Sequence, residues 1–591
     1  MKMLAPRVAG VWAAVALGWP TGAAWAQRPS DEEIFGGGGG GARPGGAATS
    51  TSTSTSTSTA TATGSGTSTP TGGPGGTSAL PASGAGEAGA ANGATAATSD
   101  ARDALNLGSP DAPTRFSSQV APSDPLKIGG QFYWRMMSSG KQGQALQNWA
   151  VSAPALLDVY LDARPNDRVR AFVLGRMYYD PTLPPNGTTT SAASIASSVA
   201  AQNNDFLSST LGQATRGPTV LLDQMWLSTD ILHTVFVTAG KQHVTWGGAR
   251  FWAPIDYLHM LPRNPLLPFD SRTGTTMVKV NLPWEERGWN FYAYALPEAP
   301  TATAEVGDVA GAARAEVVFD TLEAGLGVFG QRGNKPKFAS DVSFGVWDLD
   351  FYGEAALRNA ADVGFVGFRQ ASFTANSVAA GQTQTYNSNN LTPAVTNLDP
   401  NTDFPTLVDA FFPVHAGSGW KPQVTGGVSY TRRYAANDTF TVGGEYFYNA
   451  LGYNNPQVYP GVLFLPHATP LNNPATFFYL GRHYLAFYAT APGPYSWDNT
   501  TFTLSNLANL SDKSGMTRLD YSLIVLTHVR FEAYGAVHWG QRNGEFRLGL
   551  DGDALLGPTG TTGIPFADAL AQALTLPPAL FDVGVGLRVA L

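Results

Sequence analysis

From Leu126 to Leu591 apolar and polar side chains alternate with a period of two, which dictates extended strands with one apolar and one polar face. Ile128, Gly130, Phe132, Trp134 and Met136 alternate with Lys127, Gly129, Gln131, Tyr133 and Arg135. Leu157, Val159, Leu161 and Ala163 alternate with Asp158, Tyr160, Asp162 and Arg164. After a turn at Pro165-Asn166-Asp167, Val169, Ala171 and Val173 oppose Arg168, Arg170 and Arg176. The same alternation closes the chain, with Val583, Val585, Leu587, Val589 and Leu591 on one face. In a soluble sandwich the apolar face would meet a core. Here the opposite face is charged and the pattern persists to the last residue, so the apolar face is assigned to lipid. The expected fold is all-β: a transmembrane antiparallel β-barrel.

The alternation predicts about eighteen strands, at 126–137, 155–164, 168–179, 219–228, 234–244, 274–282, 288–297, 311–319, 322–331, 337–346, 349–357, 421–434, 439–449, 482–490, 500–509, 515–527, 530–541 and 579–591. An even count suits a single-chain bacterial barrel. The connections alternate in length. Short turns fall at 165–167, 283–287, 320–321, 347–348, 435–438 and 528–529, and long segments at 180–218, 245–273, 358–420, 450–481 and 542–578. Short turns on the periplasmic side and long loops outside place both termini in the periplasm.

The N-terminal quarter is different. Residues 1–26 read as a secretory signal peptide, with Lys2 and Arg7, an apolar stretch and an Ala24-Trp25-Ala26 cleavage pattern. Residues 27–125 carry a glycine run, a Thr/Ser tract and Gly/Ala/Pro-rich sequence, a composition that cannot offset its ordering entropy and is expected to be a disordered periplasmic tail. Two acidic-apolar islands within it, Asp31–Gly36 and Asp103–Gly108, are candidate contacts for a periplasmic protein partner. The barrel is expected over 126–591. Charged residues make up 14% of the chain, against roughly 25% in soluble domains. Aromatics make up 11%, the balance expected of a lipid-facing surface with aromatic girdles. Cysteine is absent, so no disulfide framework exists, and a net charge of −8 argues against nucleic acid as a partner.

No residue pattern points to catalysis or to a cofactor. Gly325-Leu326-Gly327-Val328-Phe329-Gly330 has the spacing of a dinucleotide fingerprint, but it lies within an alternating strand and no helix follows, so its glycines are expected to let the sheet bend. The histidines, at 233, 243, 259, 415, 467, 483, 528 and 538, show no pair at the helical spacing of a metal site. No enzyme is expected.

The densest cluster of functional side chains follows the fifth strand. Gly240, Lys241, Gln242, Trp246, Gly247, Arg250, Trp252, Pro254, Asp256, Arg263, Asp270, Arg272 and Gly274 mix rings, both signs of charge and glycine. Gly-basic-Gln, Trp-Gly, an aromatic-x-Pro-x-Asp and an Arg-x-Gly in this order resemble a segment of a broad group of outer-membrane barrels related to the alginate-export type. That resemblance spans about 35 residues and implies a barrel serving as a conduit for a solute or polymer. Physically, Lys241, Gln242, Trp246, Arg250, Trp252, Asp256, Arg263, Asp270 and Arg272 are candidates for a constriction. Their rings would either stack on a flat solute or brace a structural plug against the wall.

The polar strand faces supply the expected lumen charges: Arg164, Arg168, Arg170, Arg176, Arg314, Lys421, Arg433, Arg518, Arg530 and Arg588 with Asp158, Asp162, Glu316, Glu445, Asp520 and Glu532. Asp162 should sit across from Arg170 as a cross-strand ion pair. Bases outnumber acids, which points to a polar or anionic solute. The sequence thus leads to a porin-like or export channel for a polar solute or polysaccharide in the Gram-negative outer membrane, in contact with its lipid. The alternative is a structural anchor of an envelope-spanning apparatus for surface motility, adhesion or polymer secretion, tethered through 27–125.

Overall fold

Each alternating stretch forms a strand in the computed structural model, which describes residues 125–182, 218–259, 262–267, 270, 272–297, 306–368, 373–377, 382–386, 412–434, 438–463, 476–549, 575 and 577–590. Residues 1–124, with the expected signal peptide and both acidic-apolar islands, lie outside them. The barrel strands are β1 (Leu126–Lys141), β2 (Ala155–Ala163), β3 (Val169–Tyr179), β4 (Thr219–Ile231), β5 (Val235–Gln242), β6 (Thr275–Trp284), β7 (Trp289–Leu296), β8 (Ala310–Phe319) and β9 (Leu322–Gly330). They continue as β10 (Lys337–Val346), β11 (Leu349–Asn359), β12 (Trp420–Arg433), β13 (Thr439–Asn449), β14 (His483–Pro492), β15 (Thr500–Asn509), β16 (Ser514–Leu526), β17 (Val529–Gly540) and β18 (Ala579–Ala590). A three-residue strand, Ala150–Ser152, adds to β1 at its far end.

Every barrel strand pairs antiparallel with the next. β18 then returns to β1, from Gln131↔Ala590 to Lys141↔Ala579, and closes an eighteen-strand barrel. Closure satisfies the edge hydrogen bonds that an open sheet could not satisfy in lipid. Leu126 pairs with Ala163 and Gln131 with Ala590, so the barrel begins and ends at the rim that carries the short turns. Some strands outrun the alternation: β1 continues to Lys141 and β4 to Ile231, where weakly patterned residues extend the ladder past the apolar band.

The two faces divide as their chemistry requires. Phe132, Trp134 and Met136 on β1, Val159 and Leu161 on β2, and Phe581, Val583 and Val585 on β18 are exposed. Gln131, Tyr133, Arg135, Asp158, Asp162, Arg170 and Arg176 are buried on the inward face. No helix among the described residues is long and apolar enough to cross a membrane, and the strands do the crossing. Ring clusters mark both rims, as interfacial girdles do. At the short turns Trp289 packs edge-on against Trp284 and Phe319, each at 5.6 Å. At the opposite rim Trp149 stacks on Phe581 and Trp420 leans on Phe338.

One local expectation changes. Asp162 faces Phe172 rather than Arg170, because the β2–β3 connection absorbs Arg168 and shifts the register by two residues. Arg170 still reaches Asp162 diagonally, with two hydrogen bonds of 2.9 and 3.1 Å. Two glycines of β9 clear space for neighbouring side chains. A Cβ at Gly327 would collide with the ring of Trp246, and one at Gly325 with the Arg314–Asp341 pair.

Candidate functional site

The connection from β5 to β6 does not arch away from the rim but crosses the barrel interior. Its root is fixed by Gln242, which is fully buried and donates from Nε2 to the carbonyls of Met277 (3.2 Å) and Thr238 (3.4 Å). The backbone turns at Gly247, where φ is +89° and any side chain would strike the Glu354 carboxylate. Glu354, on β11, accepts the Ala249 N–H at 2.8 Å. Glu445, on β13, accepts three consecutive backbone N–H groups, from Arg250 (2.9 Å), Phe251 (3.1 Å) and Trp252 (2.7 Å), and the Tyr352 hydroxyl at 2.7 Å. Near the β6 end, Asp223 on β4 accepts the Gly274 N–H at 3.1 Å. β4 and β13 stand nine strands apart in a ring of eighteen, so the segment is anchored at opposite walls.

Aromatic side chains brace each limb. Trp246 is buried above Gly327, beneath the Arg314 guanidinium (5.6 Å) and beside Tyr294 (5.8 Å) and Tyr257 (6.2 Å). Trp252 stacks on Phe447 at 5.7 Å and donates from its indole nitrogen to the Phe478 carbonyl at 2.9 Å. Tyr257 donates to the Phe338 carbonyl at 2.9 Å. Burying one Trp contributes roughly 4–6 kcal/mol from area alone. Of the two roles open to these rings, stacking on solute or bracing, the geometry places both Trp side chains against the wall.

A polar chain then links the segment to the wall. Arg272 bonds Asp270 (2.6 Å) and Asp256 (2.8 Å). Asp256 faces His259 Nδ1 (3.0 Å), His259 Nε2 faces His243 Nδ1 (3.3 Å), and His243 Nε2 faces Asp223 (3.0 Å). Asp223 continues to Arg176 (3.1 Å), which bonds Asp158 at 2.8 Å. Burial raises the carboxyl affinity of Asp256 and Asp270 for protons, but the adjacent cations outweigh it. His259 and Arg272 hold Asp256 below the usual carboxylate range, and Arg272 holds Asp270 well below it. The histidines that share no helical spacing in sequence therefore meet in space, because a loop rather than a helix carries them together. Among the described residues no cluster of three metal-ligating side chains occurs.

The other anticipated residues divide by location. Lys241 falls on the outward set of β5, because the alternation through Thr238 and Gln242 sends the odd positions out; it does not belong to the constriction. Arg164 and Arg168 lie exposed at the short-turn rim rather than on the lumen wall, since the β2–β3 connection begins and ends with them. Arg170–Asp162, Arg176–Asp158 and Arg518–Asp520 are inward pairs. Arg530 and Glu532 share the inward parity of β17 with Tyr534. Arg250 sits over the Tyr488 ring at 3.8 Å.

Between the segment and the wall formed by β1 and β15–β18 lies a space of two chambers. Leu266, Leu267, Arg135, Arg518 and Tyr534 line both of them. Tyr534 is clamped between the guanidiniums of Arg135 (4.2 Å) and Arg518 (4.1 Å). Arg250, Asp520 and Glu532 line one chamber, and His538, Asp582 and Glu545 the other. Glu354, Tyr352, Glu545 and Tyr534 carry no local sequence signal, since each matters only through strands distant in the chain.

A closed eighteen-strand barrel with an apolar exterior, ring-lined rims and a polar interior is a membrane β-barrel of the outer-membrane type. No family model matches the chain, and no curated protein matches it in sequence. Solved structures similar to it include OccAB1 of Acinetobacter baumannii, at 11% identity over 79% of this chain and 97% of that one, with a TM-score of 0.40. OccK11 (OpdR) of Pseudomonas aeruginosa is similar at 7% identity, covering 79% and 96%, with a TM-score of 0.39. A triple mutant of Rhodopseudomonas blastica porin is similar at 10% identity, covering 79% and 100%, with a TM-score of 0.32.

Proposed function

We propose that this protein is a porin-like channel of the Gram-negative outer membrane that passes small polar solutes and favours anions. The observation that carries the proposal is the passage beside the lumen-crossing segment, with Arg135, Arg250 and Arg518 on its walls. Asp520 and Glu532 face the same chamber, so a solute there meets both signs of charge, with three guanidiniums to two carboxyls. The segment narrows the lumen, which favours a single small solute or one extended chain over a folded polymer. The short-turn rim, with both ends of the barrel, faces the periplasm in this reading. The resemblance of the segment to the alginate-export type fits a conduit and leaves the solute open to assay.

The test is conductance of the purified full chain in planar bilayers, with reversal potentials under a potassium chloride gradient. Discrete channels with a chloride-favouring reversal potential support the proposal. A folded barrel that inserts without conducting refutes it and favours the structural anchor. A pull-down with the 27–125 peptide from periplasmic extract, compared with its Phe35→Ala/Leu107→Ala variant, would then look for the partner.

A further inference from the structure

The histidine pair inside the barrel has a protonation requirement that geometry alone imposes. His259 Nδ1 faces both oxygens of Asp256, at 3.0 and 3.1 Å, and His243 Nε2 faces an oxygen of Asp223 at 3.0 Å. Ionised carboxylates only accept hydrogen bonds, so both outer ring nitrogens carry N–H. The inner nitrogens, His259 Nε2 and His243 Nδ1, stand 3.3 Å apart. If both rings are neutral, two lone pairs oppose each other in a buried site. Moving either N–H inward instead sets a bare nitrogen against a carboxylate. One added proton between the rings makes every contact in the series donor to acceptor. A second sets two N–H groups and two positive charges against each other.

Charged groups face the pair and its partners from several elements. Asp158 on β2, Asp223 on β4, and Asp256 and Asp270 on the segment supply four negative charges. Arg176 on β3 and Arg272 on the segment supply two positive ones, Arg263 acts on Asp270, and Arg588 on β18 acts on Asp158.

We propose that His243 and His259 form a one-proton site that fastens the lumen-crossing segment to the wall at β4, so that the width of the passage depends on pH. The dependence of the passage rests on the channel reading above; the fastening does not. The docked segment holds a proton that the released segment gives up at high pH. Docking therefore strengthens as pH falls and loosens as pH rises. At still lower pH the second proton opposes docking, giving a bell-shaped profile.

The chain has no cysteine, so a nitroxide placed at Ala253→Cys in the full-length protein reports the segment alone. Its mobile fraction is expected to rise about threefold between about pH 6 and pH 9, and to lose that dependence in both His243→Gln and His259→Gln. Circular dichroism of each variant confirms the barrel, and Asp256→Asn, which keeps both rings, should shift the profile rather than abolish it. An unchanging spectrum in the wild type, or the same pH profile in both histidine variants, overturns the proposal. So does a change in mobility on adding zinc or a chelator at constant pH, which would assign the pair to a metal ion. Conductance recorded in parallel separates the two claims. Nitroxide release without a change in an open channel overturns the gating half, whereas absence of any conductance is a failure of the channel reading, with the proton site still decided by the nitroxide.

Discussion

Glu445 offers the sharpest way to loosen the segment without touching the barrel. Its carboxylate accepts the N–H groups of Arg250, Phe251 and Trp252 and the Tyr352 hydroxyl. Glu445→Ala leaves these three N–H groups facing a wall that offers no acceptor, and each stranded buried donor costs about 1–3 kcal/mol. Lumen water can replace part of the lost bonding, so the net loss of docking free energy should be roughly 3–6 kcal/mol. The β13 ladder to β12 and β14 uses main-chain groups and survives the change. Even 3 kcal/mol raises the undocked population about 150-fold. Trypsin reads that population, because Arg250 and Arg263 become cleavable only when the segment leaves its anchors, and cleavage follows the open fraction when reclosing is fast. The expected result is cleavage at these two sites about a hundredfold faster than in wild type, with the barrel fragments intact. Glu445→Gln, which keeps one acceptor oxygen, should fall between. Cleavage of Glu445→Ala within twofold of wild type would falsify the claim that this carboxylate anchors the segment.

The remaining predictions concern charge and the passage. Deleting 246–270 should raise single-channel conductance severalfold, and an unchanged conductance in a folded mutant would show that the segment does not narrow the lumen. Arg272→Met strands the buried Asp256 and Asp270 and should weaken docking by about 3–5 kcal/mol, read as trypsin cleavage at Arg263. Both carboxyls are held below their ordinary values, so the stabilisation from Arg272 is fully present at neutral pH and is lost only as pH falls through the depressed range; wild-type cleavage should stay slow at mildly acid pH. Glu545 behaves oppositely: burial, then the nearby Asp512, push its carboxyl up to about 8, so docking of the 541–549 turn is strongest at acid pH and weakens as pH rises toward about 8. Cleavage at Arg547 should follow that profile and lose it in Glu545→Gln. Arg135→Ala with Arg518→Ala should move the reversal potential toward cations, and no movement would remove these residues from the selectivity argument.

The alternation made strand number and facing legible, because side-chain period and lipid exposure act on every residue independently. Phe132, Trp134 and Met136 announce their face without reference to any partner. Register was less legible, since Asp162 and Arg170 could be matched only by assuming a turn length, and Arg168 joins the turn. The segment from Gln242 to Gly274 stood out by its density of rings and charges, but its partners did not. Glu354, Tyr352 and Glu445 reach it from strands roughly a hundred to two hundred residues later, and the pair His243–His259 depends on how a loop folds back over β4. Lys241 shows the complementary failure. It sits inside the conspicuous motif, yet the strand continues through it and sends it outward.

The acids of the lumen wall explain why composition misleads about the passage. A segment without regular secondary structure brings backbone N–H groups into the barrel with no ladder to receive them. The wall supplies acceptors: Glu354 takes Ala249, Glu445 takes residues 250–252, and Asp223 takes Gly274. The second inward turn repeats the arrangement, with Asp512 accepting the Glu545 N–H at 2.8 Å and the Ser514 hydroxyl accepting the Phe546 N–H at 3.1 Å. Carboxylates committed to backbone are turned away from a solute, and several inward arginines are committed to carboxylates. Arg135 and Arg518 meet on the Tyr534 ring, Arg518 also pairs with Asp520, and Arg250 lies on the Tyr488 ring. The net charge of −8 therefore does not by itself set the field in the passage, because several acids are bound to backbone N–H groups and several arginines to acids, while Asp520, Glu532 and Asp582 line it beside Arg135, Arg250 and Arg518.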